Sequence, residues 1–152
     1  MTLDYAALTA EITGKLEDNQ NITLATCADG KVTARSMAIV NDGLTIMFQT
    51  VGYSEKMRQI KANPNVAFSS GNMQIEAVAR VASDPGEITA FVELFKVKFP
   101  RYYETYTGLP DETTVICEPI KFKLYKFLDG KPCADVLDIK ENMAYREVLI
   151  DA

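Results

Sequence analysis

The sequence contains no histidine and no tryptophan in 152 residues. Without histidine there is no Ser-His-Asp triad, no Cys-His pair, no HExxH zinc helix and no histidine-ligated haem. Cysteine is scarce. Cys27, Cys117 and Cys133 are odd in number and far apart, which excludes a disulfide framework and a CxxC site. A reducing cytoplasm is the simplest setting for such a chain. Basic residues are outnumbered, 16 Lys and Arg against 21 Asp and Glu, for a net charge of -5. That balance argues against a nucleic-acid partner, which needs a basic face, but leaves room for a local basic pocket. No apolar run approaches the roughly 18 residues needed to span a bilayer, so no membrane partner is expected. The first twenty residues carry acidic side chains and no apolar h-region, unlike a signal peptide.

What is present is ordinary globular composition, 47% hydrophobic and 24% charged. The length suits one domain over residues 1–152 with a real core. Residues 3–19 read as an amphipathic helix, with Leu3, Ala6, Ala7, Ala10 and Leu16 near one face. Residues 22–28, 31–40 and 44–49 read as strands, separated by the turn signals Asp29-Gly30 and Asn41-Asp42-Gly43. Ser54 caps a helix over 55–62 that Asn63-Pro64 ends. Strands follow at 65–70 and 73–82 around Gly71-Asn72. Asp84, Pro85 and Glu87 open a second helix with a capping box, and Pro100 opens a shorter one through Tyr106. Strands return at 113–118, 120–128 and, after Asp129-Gly130, near 133–139, with a frayed end beyond. Six or seven antiparallel strands with interspersed helices suggest a small closed barrel, which removes exposed edges.

The chemistry concentrates between Arg35 and Pro64. A strand cation, a helix N-terminus at Ser54 and a helix cation, Lys56, can converge on one anion. The phosphate of flavin mononucleotide (FMN) is the anion proposed. Met37, Phe48 and Thr50 could line the ring and its ribityl chain, and Gln74 carries an amide able to pair with a flavin edge. Taken singly, these residues have plainer roles as solvated strand, helix cap, surface lysine and core. For Tyr102, Tyr103 and Tyr106 the simpler role is an aromatic helix packed on a sheet. With no histidine, the chemistry of an enzyme here would sit on the cofactor. No catalytic residue and no metal-ligand set is named.

The order of motifs is more specific than any one residue. A strand arginine, Arg35, is followed by Phe48-Gln49-Thr50, Ser54-Glu55-Lys56, Asn63-Pro64 and the run from Gln74 to Val81. Over about residues 22–81 this resembles the pyridoxamine 5'-phosphate oxidase-like family of flavin-binding split barrels. The resemblance implies a mainly β fold with peripheral helices (α+β), built on a six-stranded antiparallel split β-barrel. It implies a homodimer with FMN at the subunit interface. By the same resemblance, Arg35 and Lys56 match the phosphate-binding cations and Ser54 the accompanying hydroxyl. Gln49 and Thr50 match the segment beside the flavin, Ser36 and Met37 the strand whose backbone meets the ring, and Gln74 a glutamine reaching the flavin from the partner subunit. The Trp and Arg-x-His signature of true pyridoxamine phosphate oxidases has no counterpart. Short flavin-binding, general-stress and nitroimidazole-resistance-type members are the better match. The implied function is an FMN oxidoreductase passing hydride between a nicotinamide and a small-molecule substrate. The alternative is a non-catalytic carrier or sensor of flavin, deazaflavin or haem.

Overall fold

The computed structural model describes residues 1–150; residues 151 and 152 lie outside that range, and the end expected to fray after residue 139 instead forms a strand over Met143–Val148, paired with the preceding one. The chain opens on α1 (Tyr5–Asp18), capped by Asp4, whose Oδ1 accepts the Ala7 amide at 2.9 Å. Its buried stripe is Leu8, Ile12 and Leu16, spaced four residues apart, while Ala6, Ala7 and Ala10 are exposed. The inward face is therefore rotated from the one expected. Leucine and isoleucine gain more from burial than a methyl group does, and they set the orientation.

β1 (Asn21–Ala28) and β2 (Lys31–Ala38) form a hairpin around Asp29 and Gly30, whose φ angles of 53° and 76° suit a two-residue primed turn. The chain continues through β3 (Val40–Asp42), β4 (Thr45–Val51), α2 (Glu55–Ala62), β5 (Asn65–Ser70) and β6 (Met73–Val81). Then come α3 (Pro85–Lys98), α4 (Pro100–Tyr106), β7 (Glu112–Leu128), β8 (Lys131–Asp138) and β9 (Met143–Val148). Asp84 caps α3 through the Gly86 amide at 2.8 Å, but Glu87 does not complete a capping box. Its carboxylate instead meets Arg80 at 2.6 Å.

The strands make one antiparallel sheet in the order β2-β1-β5-β6-β7-β4-β3, with β8 on β7 and β9 on β8. This corrects the expected six-stranded split β-barrel. Among the described residues there are nine strands, and the sheet does not close into a barrel. Its two ends, β2 and β3, are consecutive in the chain across the buried Ile39, yet β2 pairs with β1 and β3 with β4, not with each other. The 17-residue β7 takes β4 along its first half and β8 along its second. The two strands expected at 113–118 and 120–128 are thus one. Pro119 has no N–H to give the ladder, and it sits where the register with β6 shifts between Glu76 and Ala77.

One core lies between α1, α2 and the sheet, around Phe48, Phe68 and Phe122. A second joins Phe91, Phe95 and Phe99 to Val40, Met47 and Ile116. Full burial of each such phenyl ring stabilises the fold by about 2–3 kcal/mol. The second core matters for function because it lays α3 and α4 beside the β3–β4 end of the sheet. Away from it, Asp135 binds Arg146 at 2.6 Å and Lys126 at 2.9 Å, and Lys126 also reaches Glu11, tying α1, β7, β8 and β9 together.

Candidate functional site

The loop from β4 to α2 is clamped onto the start of β7. The Gly52 amide donates to Asp111 O at 2.8 Å, and a Cβ at position 52 would stand 2.9 Å from Thr113 Oγ1. Glycine allows that approach, which brings Thr50, Ser54, Lys56 and Glu112 to one corner of the fold. Ser54 caps α2, its hydroxyl accepting the Met57 amide at a long 3.4 Å. Lys56 is half-buried and its Nζ donates to Thr50 Oγ1 at 2.7 Å.

Arg35 projects from β2 into a polar pocket under α2. Its guanidinium donates to Leu24 O at 3.3 Å, to Thr26 Oγ1 at 2.8 Å and to Thr33 Oγ1. Both threonines in turn donate to the side-chain oxygen of the buried Gln59, whose amide donates to Lys31 O at 3.2 Å. Burial pulls the Arg35 pKa down against the attraction of Glu55. Burial, and then the like charge of Arg35, pull the Lys56 ammonium below its ordinary value, while Glu112 opposes them. Two cations are therefore held within electrostatic reach of each other, and among the described residues neither has a direct carboxylate partner.

Beside them lies a cavity of about 290 Å³. Met37, Gln49, Thr50, Val51 and Glu112 line it from the sheet strands, and Phe95, Tyr102 and Tyr106 from α3 and α4. Gln49 exchanges hydrogen bonds with the Thr107 hydroxyl at 3.3–3.4 Å. Met37, Gln49 and Thr50 thus share one cavity, with Lys56 bonded at its edge and Arg35 behind. Ser36 is exposed on the opposite face of β2. Gln74 is exposed on β6, accepts from Tyr125 at 3.3 Å and lines a separate groove with Thr23 and Ser69, so one chain does not bring it to the cavity.

Four contributors are not among the site residues expected from the sequence. Tyr102 and Tyr106 line the cavity while remaining exposed, instead of packing on the sheet. Gln59 gave one signal, a polar residue on the buried side of α2 between Met57 and Ile60. Glu112 gave none, standing at a loop–strand border. Chemically, the corner offers an anion two cations, a hydroxyl and helix N–H donors, next to a half-apolar wall able to take a flat ring. Among the described residues no cluster suits a metal ion.

The sequence model of the pyridoxamine 5'-phosphate oxidase family matches residues 8–125. The chain belongs to this family. No curated protein matches it. Solved structures resemble its fold at low identity. Campylobacter jejuni ChuZ has a TM-score of 0.74 at 16% identity, covering 93% of this chain and 63% of that one. General Stress Protein 26 from Bacillus anthracis has a TM-score of 0.60 at 20% identity, covering 76% and 91%. HutZ, the heme storage protein from Vibrio cholerae, has a TM-score of 0.62 at 16% identity, covering 72% and 88%. Members of similar fold thus carry stress-protein and heme-storage names as well as the oxidase name of the family.

Proposed function

We propose that this protein binds flavin mononucleotide, its phosphate held by Lys56, Thr50, Ser54 and the start of α2, with Arg35 behind. The observation that carries the reading is the pair of desolvated cations. Keeping Arg35 and Lys56 close, partly buried and without a direct carboxylate partner costs free energy that a phosphate dianion would offset. The apolar part of the adjoining wall, from Met37 and Val51, suits the flavin ring. When bound, flavin supplies hydride or single-electron chemistry. The chain's own part is to bind and orient it, and a carrier or sensor role follows more directly than a named reduction.

At about 290 Å³ the cavity falls just short of the usual ligand-site range of roughly 300–1,000 Å³. A second copy of the chain is proposed to complete it. The exposed row of Thr23, Ser36, Ser69 and Gln74, aligned across four strands and bordering a groove, is the face proposed to receive that copy, which would give Gln74 an occupant. Free thiols at Cys27, Cys117 and Cys133 fit a cytoplasmic setting.

Haem is the second reading. It is favoured by the heme-storage relative and by the Tyr102 and Tyr106 phenols at the cavity, since tyrosine can ligate haem iron. The absorbance spectrum of freshly purified protein decides between them. An oxidised-flavin spectrum, with one phosphorylated flavin released per chain on denaturation, is expected. A Soret band, or a deazaflavin spectrum, overturns the FMN assignment.

A further inference from the structure

Glu112 opens β7 beside the cation pair, paired across the ladder with Val51. Its Oε2 is buried and has no hydrogen-bond partner among the described residues. The same side chain lines the cavity with Met37, Gln49 and Thr50. A buried carboxylate oxygen without a donor is disfavoured, and an occupant of the cavity is what could meet it.

The charges around it are few. From α2, Lys56 attracts the carboxylate but donates its hydrogen bond to Thr50. From β2, Arg35 acts on Lys56. From α4 come the phenols of Tyr102 and Tyr106; β4 and α3 face the cavity with the uncharged Gln49, Thr50 and Phe95. Asp111 is adjacent but exposed, and Glu55 is exposed and paired with Lys31 at 3.2 Å. Burial already pushes the Glu112 carboxyl up, against the pull of Lys56.

We propose that Glu112 couples occupancy of this cavity to proton uptake. An anionic ligand that binds Lys56 is taken together with one proton from solvent, which bonds to Glu112 Oε2. Before binding, Lys56 is the positive charge that favours ionised Glu112. A phosphate dianion arriving at Lys56 competes for that ammonium and repels the carboxylate. Protonation removes the repulsion and turns an orphaned acceptor into an O–H donor that the ligand can accept.

The inference rests on the FMN reading above and goes beyond it. It is tested by calorimetric titration of the apoprotein with FMN, in pairs of buffers with different ionisation enthalpies, from about pH 6 to about pH 8. Wild type is compared with Glu112→Gln. Proton exchange by the FMN phosphate itself is common to both proteins and cancels in the difference. Wild type is expected to take up more protons per FMN than the variant. Its affinity should fall more steeply with pH, by up to about tenfold per unit between the Glu112 pKa of the free protein and the higher pKa of the FMN-loaded one. Equal proton numbers and parallel pH profiles would overturn the coupling and leave the ligand assignment standing. Absence of FMN binding by either protein would overturn both. If Glu112→Gln does not fold, carbon-13 NMR titration of the wild-type glutamate carboxyls decides the matter. The Glu112 pKa must rise on loading with FMN, and an unchanged or lower value overturns the proposal.

Discussion

Asp135 is 2% exposed and still carries a charge, because Arg146 and Lys126 supply three hydrogen bonds at 2.6–3.0 Å. The Arg146 bonds, and behind them Lys126, hold its carboxyl below the usual range in spite of burial. A depressed folded pKa means the stabilisation is complete above the unfolded value of about 3.9 and is lost as pH falls through the lower folded value. Asp135→Asn should therefore lower the unfolding free energy at neutral pH by about 3 kcal/mol, the low end for breaking a buried pair, since both cations keep some contact with water. The variant's stability should also fall less steeply than wild type below about pH 4. Urea unfolding at several pH values measures both, and a variant as stable as wild type at pH 7 would contradict the assignment. Arg35 poses a different question at the same scale. Leu24, Thr26 and Thr33 occupy three of its contacts, leaving N–H groups of the guanidinium free for a ligand. A charge-assisted bond is worth roughly 1.5–3 kcal/mol, so Arg35→Ala should weaken FMN binding by about tenfold to a hundredfold. An unchanged dissociation constant, read by fluorescence quenching of free FMN, would leave Arg35 as scaffold alone.

Elements were legible where their boundaries are set locally. Ser54 and Asn63-Pro64 bound α2, and Pro100 opens α4, at the expected residues, because capping and the missing proline N–H act within one turn. Elements whose partner lies far along the chain were not. Pro119 looks like the end of a strand, yet β7 runs through it because β7 itself carries the irregularity, with Ile120 left over between the pairs Glu76–Lys121 and Ala77–Pro119. β9 is different: its partner β8 is adjacent in the chain, but β9 has no clean alternation of burial to mark it as a strand. The local hairpin signals gave antiparallel neighbours correctly, while the different partners of β2 and β3 across Ile39 are set by non-local pairing. The site divides in the same way. Arg35 and Lys56 could be singled out by their spacing, whereas Gln59 acquires its role from Thr26 and Thr33, 33 and 26 residues away. That role makes a prediction about how α2 is seated. Gln59→Leu removes the acceptor of both threonine hydroxyl protons and the donor to Lys31 O, leaving the buried Thr26 hydroxyl with the Arg35 bond alone at normal distance. Stability should fall by about 2 kcal/mol, with the urea midpoint shifting at constant m-value. A midpoint within error of wild type would mean that Gln59 does not hold α2 to the β1–β2 hairpin.

For the whole molecule, the incomplete cavity and the uncovered face around Gln74 predict a homodimer at micromolar concentration. Sedimentation equilibrium should give twice the 16.9 kDa chain mass, and a monomer there would remove the partner from the site. Membership of a family named for pyridoxamine 5'-phosphate oxidation raises the question of that reaction. A second phosphorylated molecule beside FMN would need cations of its own, since Arg35 and Lys56 would already be engaged. The basic cluster nearest in sequence to the α3–α4 wall is Lys96, Lys98 and Arg101. Lys98 Nζ donates to Leu16 O at 3.2 Å and lies 5.5 Å from the centre of the Phe99 ring, while Lys96 lies 5.4 Å from that of Tyr103. These two lysines thus serve the end of α3, its contact with α1 and the aromatic packing, where cations also favour the helix dipole. Burial pulls the Lys98 pKa below its ordinary value, so burial opposes rather than favours its charge. Arg101 is exposed, and its nearest groove includes Gln20, Asn21 and Tyr102, outside the cavity proper. The FMN-loaded protein should accordingly produce no significant pyridoxal phosphate from pyridoxamine or pyridoxine phosphate in an aerobic assay that follows product absorbance. Turnover at an ordinary enzymatic rate, of order 1 per second or more, would require a second anion site that these side chains do not form, and would place the protein among the oxidases of its family.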